Sequence, residues 1–255
     1  VLGLALCALL AAPLGAAPEE PATADAAGDT GQVALKPKNV RRWNFELPKE
    51  TWRPVGKGID FSGAGGPAFR AGVESAGLSI DKDGDGEFDV TIEGDSGFVS
   101  LKSKGEKPFR HGLRLRKTDA GWMYSCAATT VGTIGDTRIT LIDANVNGRY
   151  GDVGEDAIIV GMGKAASFQG ETIALGNDLY TVEIAADGKR VDYKPYTGAI
   201  GELDLQSRYD TKARLVHLVI GSKDGRHSFE VSDREGALRV PAGIYTIQSG
   251  ALGLG

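Results

Sequence analysis

The dipeptide Asp-Gly constrains this chain more than any other feature. Asp187-Gly188 separates LYTVEIAA from KRVDYKPY, and Asp224-Gly225 separates RLVHLVIGSK from RHSFEVS. The flanks are rich in β-branched and aromatic residues, and Asp-Gly supplies the positive φ angles that a two-residue hairpin turn requires. Strand-like runs of the same kind lie at Arg110 to Lys117, Gly121 to Cys126, Thr137 to Ile142, Ala157 to Val160 and Leu179 to Ala185. The 37 glycines would be costly in helix interiors, at about 1 kcal/mol each relative to alanine. The expected fold is therefore all-β, with antiparallel sheets or a β-sandwich.

The organisation along the chain follows from shifts in composition. Residues 1–17, VLGLALCALLAAPLGAA, are uncharged and apolar and end in small residues, as a secretory signal does. Pro13 and Gly15 interrupt the run short of the roughly 20 apolar residues a membrane span needs, so no span is expected in the mature chain. With no initiator Met and no basic start, the chain is expected to begin inside that signal. Residues 18–40 are rich in Ala, Pro, Glu and Asp without apolar periodicity and read as a flexible linker. Two packed β-modules are expected to follow, residues 41–198 and 199–255, with the boundary in PYTGAIGELDL. The expected location is outside the cytoplasm, secreted, periplasmic or extracellular.

The net charge is −5 and the Lys and Arg residues are dispersed, which argues against a nucleic-acid surface. Without residues 1–17 a single cysteine remains, Cys126, so no intramolecular disulfide can form. Cys126 lies in the apolar run WMYSCAATTVG and reads as a packed core thiol.

Chemistry concentrates in two loops between strand-like runs. In LSIDKDGDGEFDVTIEG, Asp81, Asp83, Asp85 and Asp89 occupy positions 1, 3, 5 and 9 of a DxDxDGxxD pattern, with Gly86 at position 6. Calcium takes six to eight hard oxygen ligands at about 2.4 Å, and alternate carboxylates of a tightly curled loop supply them; glycine at position 6 permits the bend that turns the position 7 carbonyl, here that of Glu87, toward the ion. In LIDANVNGRYGDVGEDAIIVG, Asp143, Asn145 and Asn147 repeat positions 1, 3 and 5, Gly148 repeats position 6 and Arg149 supplies the position 7 carbonyl. Position 9 is Gly151, so the closing carboxylate is left among Asp152, Glu155 and Asp156. Asp, Asn and Gly also build ordinary turns, but four aspartates within nine residues repel one another in a way that a bound cation relieves. Calcium is the expected ligand of both loops, more tightly held in the first.

Position 12 of the first loop is Ile92 where a helix-loop-helix EF-hand has a bidentate Glu, and the flanks alternate as strands. The loop instead resembles the calcium loops of integrin-type FG-GAP repeats, with Val90, Thr91 and Ile92 as the strand-like tail; the spaced blade repeats of a propeller are missing. Near the other end, ALRVPAGIYTIQSG resembles the last hairpin of transthyretin-like or carboxypeptidase-regulatory-like β-sandwich modules. That resemblance covers about 55 residues and implies a module that continues past residue 255. As a whole, the chain after residues 1–17 resembles secreted β-proteins of environmental bacteria, which implies no activity.

Other candidates are weaker. His111, His217 and His227 carry no metalloprotease or hydrolase motif, and FSGAGGPAF and GMGK do not open helices as phosphate loops do. Trp43, Trp52 and Trp122 are candidates for a sugar-stacking platform or for core packing. The leading expectation is a non-catalytic calcium-binding module engaging cell-surface or matrix components. Carbohydrate binding and adhesion is an alternative, as is a hydrolase using Asp143 and Asp156.

Overall fold

The computed structural model describes residues 29–103, 108–205, 213–232 and 236–253. Two short strands come first, β1 (Gly31–Ala34) and β2 (Lys36–Asn39), then β3 (Arg53–Pro54), β4 (Gly58–Asp60), a 3-10 turn (Ser62–Ala64), β5 (Ala68–Glu74), β6 (Gly77–Ile80) and β7 (Val90–Ile92). The middle of the chain forms β8 (Ser96–Ser103), β9 (Phe109–Thr118), β10 (Gly121–Cys126), β11 (Ala128–Ile134), β12 (Thr137–Ile142) and β13 (Ala157–Val160). Next are β14 (Ser167–Phe168), β15 (Thr172–Leu175), β16 (Asp178–Ile184), β17 (Arg190–Pro195) and β18 (Ile200–Leu203). The last strands are β19 (Arg214–Ser222), β20 (Ser228–Glu230), β21 (Leu238–Pro241) and β22 (Tyr245–Gly253). The fold is all-β, and both Asp-Gly hairpins form, with Ile184 opposite Val191 and Gly221 opposite Ser228.

The sheet β14-β13-β12-β11-β2 sits between two cores. Along β12 and β13 successive side chains point to opposite faces. Ile139, Leu141 and Ile158 enter one core with Ile173, Val182 and Val191 of the sheet β1-β17-β16-β15. Ile142, Ala157 and Ile159 enter the other, with Leu78 and Ile80 of β4-β5-β6-β7 and Leu101, Leu113 and Leu115 of β3-β10-β9-β8. Burial on both faces explains why β13 reads as an unbroken apolar run, Ala-Ile-Ile-Val, instead of an alternating one.

One expectation about organisation is corrected. Of the expected linker, residues 18–28 lie outside the described residues, while Gly31–Asn39 is built into the fold: β1 pairs with β17 and β2 with β11. Between them Leu35 is 4% exposed and seats on Gly132, where an added Cβ would come within 2.3 Å of it. Main-chain pairing and two apolar anchors, Val33 and Leu35, suffice for edge strands, which is why a polar composition concealed them. Among the described residues, the strands after residue 199 pair only with one another, β18 with β21 and β19 with β20 and β22, and Ile220, Phe229 and Val240 pack against Leu179, Ala174 and Tyr196 of the preceding part.

The segment Val240 to Tyr245 is not a hairpin either. β21 pairs with β18 and β22 with β19, so Pro241-Ala242-Gly243 carries the chain from one sheet to another, pinned by the Tyr245 hydroxyl donating to the Pro241 carbonyl at 2.9 Å.

Leu35→Ala should lower unfolding stability by about 2 to 4 kcal/mol, as for other buried leucines. A linker residue would change it by less than about 0.5 kcal/mol; urea denaturation distinguishes the two.

Candidate metal centre

Both acidic loops cap antiparallel hairpins, and the pairing register sets their outermost residues. In β6–β7, Ile80 faces Val90, so one further step places Asp81 opposite Asp89. In β12–β13, Ile142 faces Ala157, and one further step places Asp143 opposite Asp156. The two hairpins are thus closed by the same pair of carboxylates, although the second loop is longer.

The hydrogen bonds repeat as well. At position 1, Asp81 accepts from the amides of Asp83 at 3.2 Å, Gly84 at 2.7 Å and Gly86 at 2.9 Å, while Asp143 accepts from those of Asn147 at 3.0 Å and Gly148 at 2.7 Å. At position 7 the amide of Glu87 donates to Asp85 Oδ1 at 2.8 Å, and that of Arg149 to Asn147 Oδ1 at 2.8 Å. The amide at position 2 selects the closing carboxylate: Lys82 donates to Asp89 at 2.7 Å and Ala144 donates to Asp156 at 3.1 Å. Asp156 is therefore the counterpart of Asp89. Asp152 has another task, accepting the side-chain amides of Asn145 at 3.1 Å and Asn147 at 2.6 Å, while Glu155 ion-pairs with Lys49.

Backbone conformation follows the same plan, with positive φ at positions 4 and 6 of each loop. These are Gly84 (82°) and Gly86 (96°) in the first, Val146 (56°) and Gly148 (86°) in the second. Val146 is the only non-glycine with positive φ among the described residues, and a β-branched side chain there is strained. Its side chain is 1% exposed in the larger core, so burial and the flanking hydrogen bonds hold it in place.

The loops differ in what they offer a cation. In the first, carboxylate oxygens of Asp81, Asp83 and Asp89 lie within 4.8 Å of one another. Asp81 is buried, and Asp83 Oδ1 is shielded from solvent without a hydrogen-bond partner. This cluster can hold a metal ion. Asp85 and Glu87 are exposed and outside the cluster, and Lys82 Nζ lies 3.0 Å from Asp89 Oδ1. Arg70 donates to the Gly86 carbonyl, bracing the turn from β5.

In the second loop the position 1 and closing carboxylates are buried, Asp143 at 0% and Asp156 at 2% exposure. Burial pushes the Asp143 carboxyl up to about 7 against the pull of its backbone donors. Burial, reinforced by the charge of Asp143, pushes that of Asp156 up to about 8. His111 lies beneath the loop with Nε2 3.5 Å from Asp143 Oδ2, and burial lowers its pKa to about 4. No motif in the sequence marked His111; only the packing of β9 against the loop brings it there. With Asp143 and Asp156 enclosed and bonded to backbone amides, neither faces an open cleft of the kind a glycan hydrolase pair requires.

The tryptophans do not form a shared flat surface. Trp122 is buried in the larger core, and the Arg114 guanidinium stacks on Trp43 at 4.3 Å and on Trp52 at 5.2 Å, with Arg116 over Trp52 at 3.8 Å. Glu50 ties this stack together by accepting from Arg114 and Trp52. Cys126 is buried in the same core, where desolvation raises its pKa, as expected of a packing thiol.

Comparison with family models, with curated proteins and with solved structures returns no match.

The raised carboxyls give a pH dependence of definite sign. A folded-state pKa above the unfolded value means that the native state binds more protons, so this contribution is present below about pH 4 and is lost as pH rises through about 7 to 8. In the presence of chelator, the urea midpoint should fall as pH rises from about 5 to about 8.5, and Asp156→Asn should remove its own share of that slope while leaving the share of Asp143, whose carboxyl is raised by burial. A flat profile would contradict the burial of these groups.

Proposed function

We propose that this chain is an extracellular, non-catalytic β-protein whose loop from Asp81 to Asp89 holds a structural calcium ion. The observation that carries the reading is the convergence of Asp81, Asp83 and Asp89, with the inward-facing Asp83 Oδ1 left without a partner. In this reading Asp85 and the Glu87 carbonyl complete the shell when the loop tightens. Oxygen-only donors favour a hard cation, and a curled loop of carboxylates suits the flexible, higher coordination of calcium better than the small, regular octahedron of magnesium.

Asp143, Asn145, Asn147, the Arg149 carbonyl and Asp156 form a second site in the same reading, with Asp152 orienting the amides. Its two buried carboxyls must lose protons before they ligate, so its affinity rises with pH. The apolar, small-residue segment at residues 1–17 supports export, and an environment with millimolar calcium suits loops of this type. An ion that binds only the folded state stabilises it, partly taking the place of disulfides that a lone Cys126 cannot form. Cell-surface or matrix components are the partners this role suits. Carbohydrate binding through Trp43 and Trp52 is less well supported, because arginines already occupy their faces.

Calcium at about ten times its dissociation constant should stabilise the fold by about 1.4 kcal/mol, raising Tm by about 3 to 6 °C. Asp83→Asn, which keeps the shape and removes a charge, should shift the calcium midpoint at least about tenfold with little change in the metal-free Tm. Differential scanning calorimetry with calcium and with chelator tests both, and an unshifted wild-type Tm would sink the proposal.

A further inference from the structure

The Lys and Arg residues are dispersed along the sequence, yet one sheet collects several of them on a single face. The strands β3, β8, β9 and β10 contain no Asp or Glu, in a chain whose net charge is −5. Side chains alternate along a strand. In β9 the side chains of His111, Leu113 and Leu115 are buried, so Arg110, Arg114 and Arg116 share the outer face. Lys102 of β8 stands directly opposite Arg110 and joins them there. Lys102, Arg110 and Arg116 are exposed. Glu50 reaches this face and pairs with Arg114 at 2.6 Å, whereas Lys102, Arg110 and Arg116 form no ion pair among the described residues.

Like charges directly opposite one another on paired strands destabilise a sheet, so Lys102 and Arg110 set up a repulsion that a bound anion relieves. The layout also sets the form of that anion. Arg110 and Arg116 lie six residues apart on β9, about 20 Å along an extended strand. A single small anion meets one end of this row only. A chain of anionic groups meets Lys102 and Arg110 at one end, passes Arg114 and reaches Arg116 at the other. Nucleic acid fits the face less well, because bases in single-stranded sites stack on open aromatic rings. Here guanidinium groups already lie over the rings of Trp43 and Trp52, and the net negative charge of the whole chain opposes a dense phosphate backbone.

We propose that the outer face of β8 and β9 binds an acidic polysaccharide, with its carboxylate or sulfate groups on Lys102, Arg110 and Arg116. This names the class of cell-surface or matrix component left open above; it rests on the extracellular setting of that reading and not on the calcium ion. Recognition is by charge, so it needs no free tryptophan face.

Isothermal titration calorimetry of the 255-residue chain in chelator at low ionic strength, with polygalacturonate, heparin, galacturonate, dextran and a single-stranded DNA oligonucleotide, tests it. The acidic polysaccharides should bind saturably, at least about tenfold more tightly than galacturonate or dextran, and more weakly as added salt screens the charges. Binding of polygalacturonate alone identifies a carboxylated polymer and binding of heparin alone a sulfated one; both support the proposal. The double variant Lys102→Gln with Arg110→Gln should weaken binding about tenfold, and Arg116→Gln should weaken it too, while Lys223→Gln in the β19–β20 turn should not. Because the double substitution removes a like-charge contact, it should leave Tm unchanged or raise it. No saturable binding by either polysaccharide, equal affinity for dextran, or DNA bound as tightly as the polysaccharides would overturn the proposal. So would full affinity in the double variant or in Arg116→Gln, a clear fall in the Tm of the double variant, or an equal loss in Lys223→Gln. With purified chain and chelator throughout, neither calcium binding nor export enters these outcomes.

Discussion

The hairpin β12–β13 is the element on which the rest of the structure depends, because both of its faces are buried. Ile139, Leu141 and Ile158 complete one core, and Ile142, Ala157 and Ile159 complete the other. Since side chains alternate, a one-residue slip in this pairing would exchange the two sets between cores of different shape. The register is therefore held from both sides, and whatever caps this hairpin inherits a fixed geometry. The cap is the loop from Asp143 to Asp156, whose outer pair is enclosed by the same packing.

The two acidic loops show how one local solution serves in two environments. Each uses a position 1 aspartate to gather backbone amides, a glycine with positive φ at position 6, and a closing aspartate on the amide at position 2. At the edge of the molecule the first loop keeps Asp83 and Asp89 near solvent, and its carboxylates gather into a cluster. Inside the molecule the second loop pays for burial with raised carboxyl pKa values, with Val146 at positive φ and with a histidine pressed against Asp143.

Much of the fold was legible from local signals. Asp187-Gly188 and Asp224-Gly225 each form the hairpin that their backbone preferences require, and Gly121–Cys126, Thr137–Ile142 and Ala157–Val160 are strands with the limits their apolar runs suggest. Gly31–Asn39 was not legible, because an edge strand is recruited by the open edge it meets and needs few apolar residues of its own. The packing of Leu179 and Tyr196 against Phe229 and Ile220 was not legible for a related reason: composition near a turn carries no information about such distant contacts.

The sequence by itself determined the all-β class, the turns and the presence of two loops built on one offset pattern, because each depends on backbone preferences and spacings within a few residues. Only the tertiary structure decided that Asp156, and not Asp152 or Glu155, closes the second loop, since that follows from the register of β12 with β13. It also decided that Asp81, Asp83 and Asp89 converge while Asp85 faces solvent, and that Asp143 is sealed against His111. Burial, and with it the chemistry of a carboxylate or an imidazole, is set by residues far away along the chain, and only the packed fold brings them together.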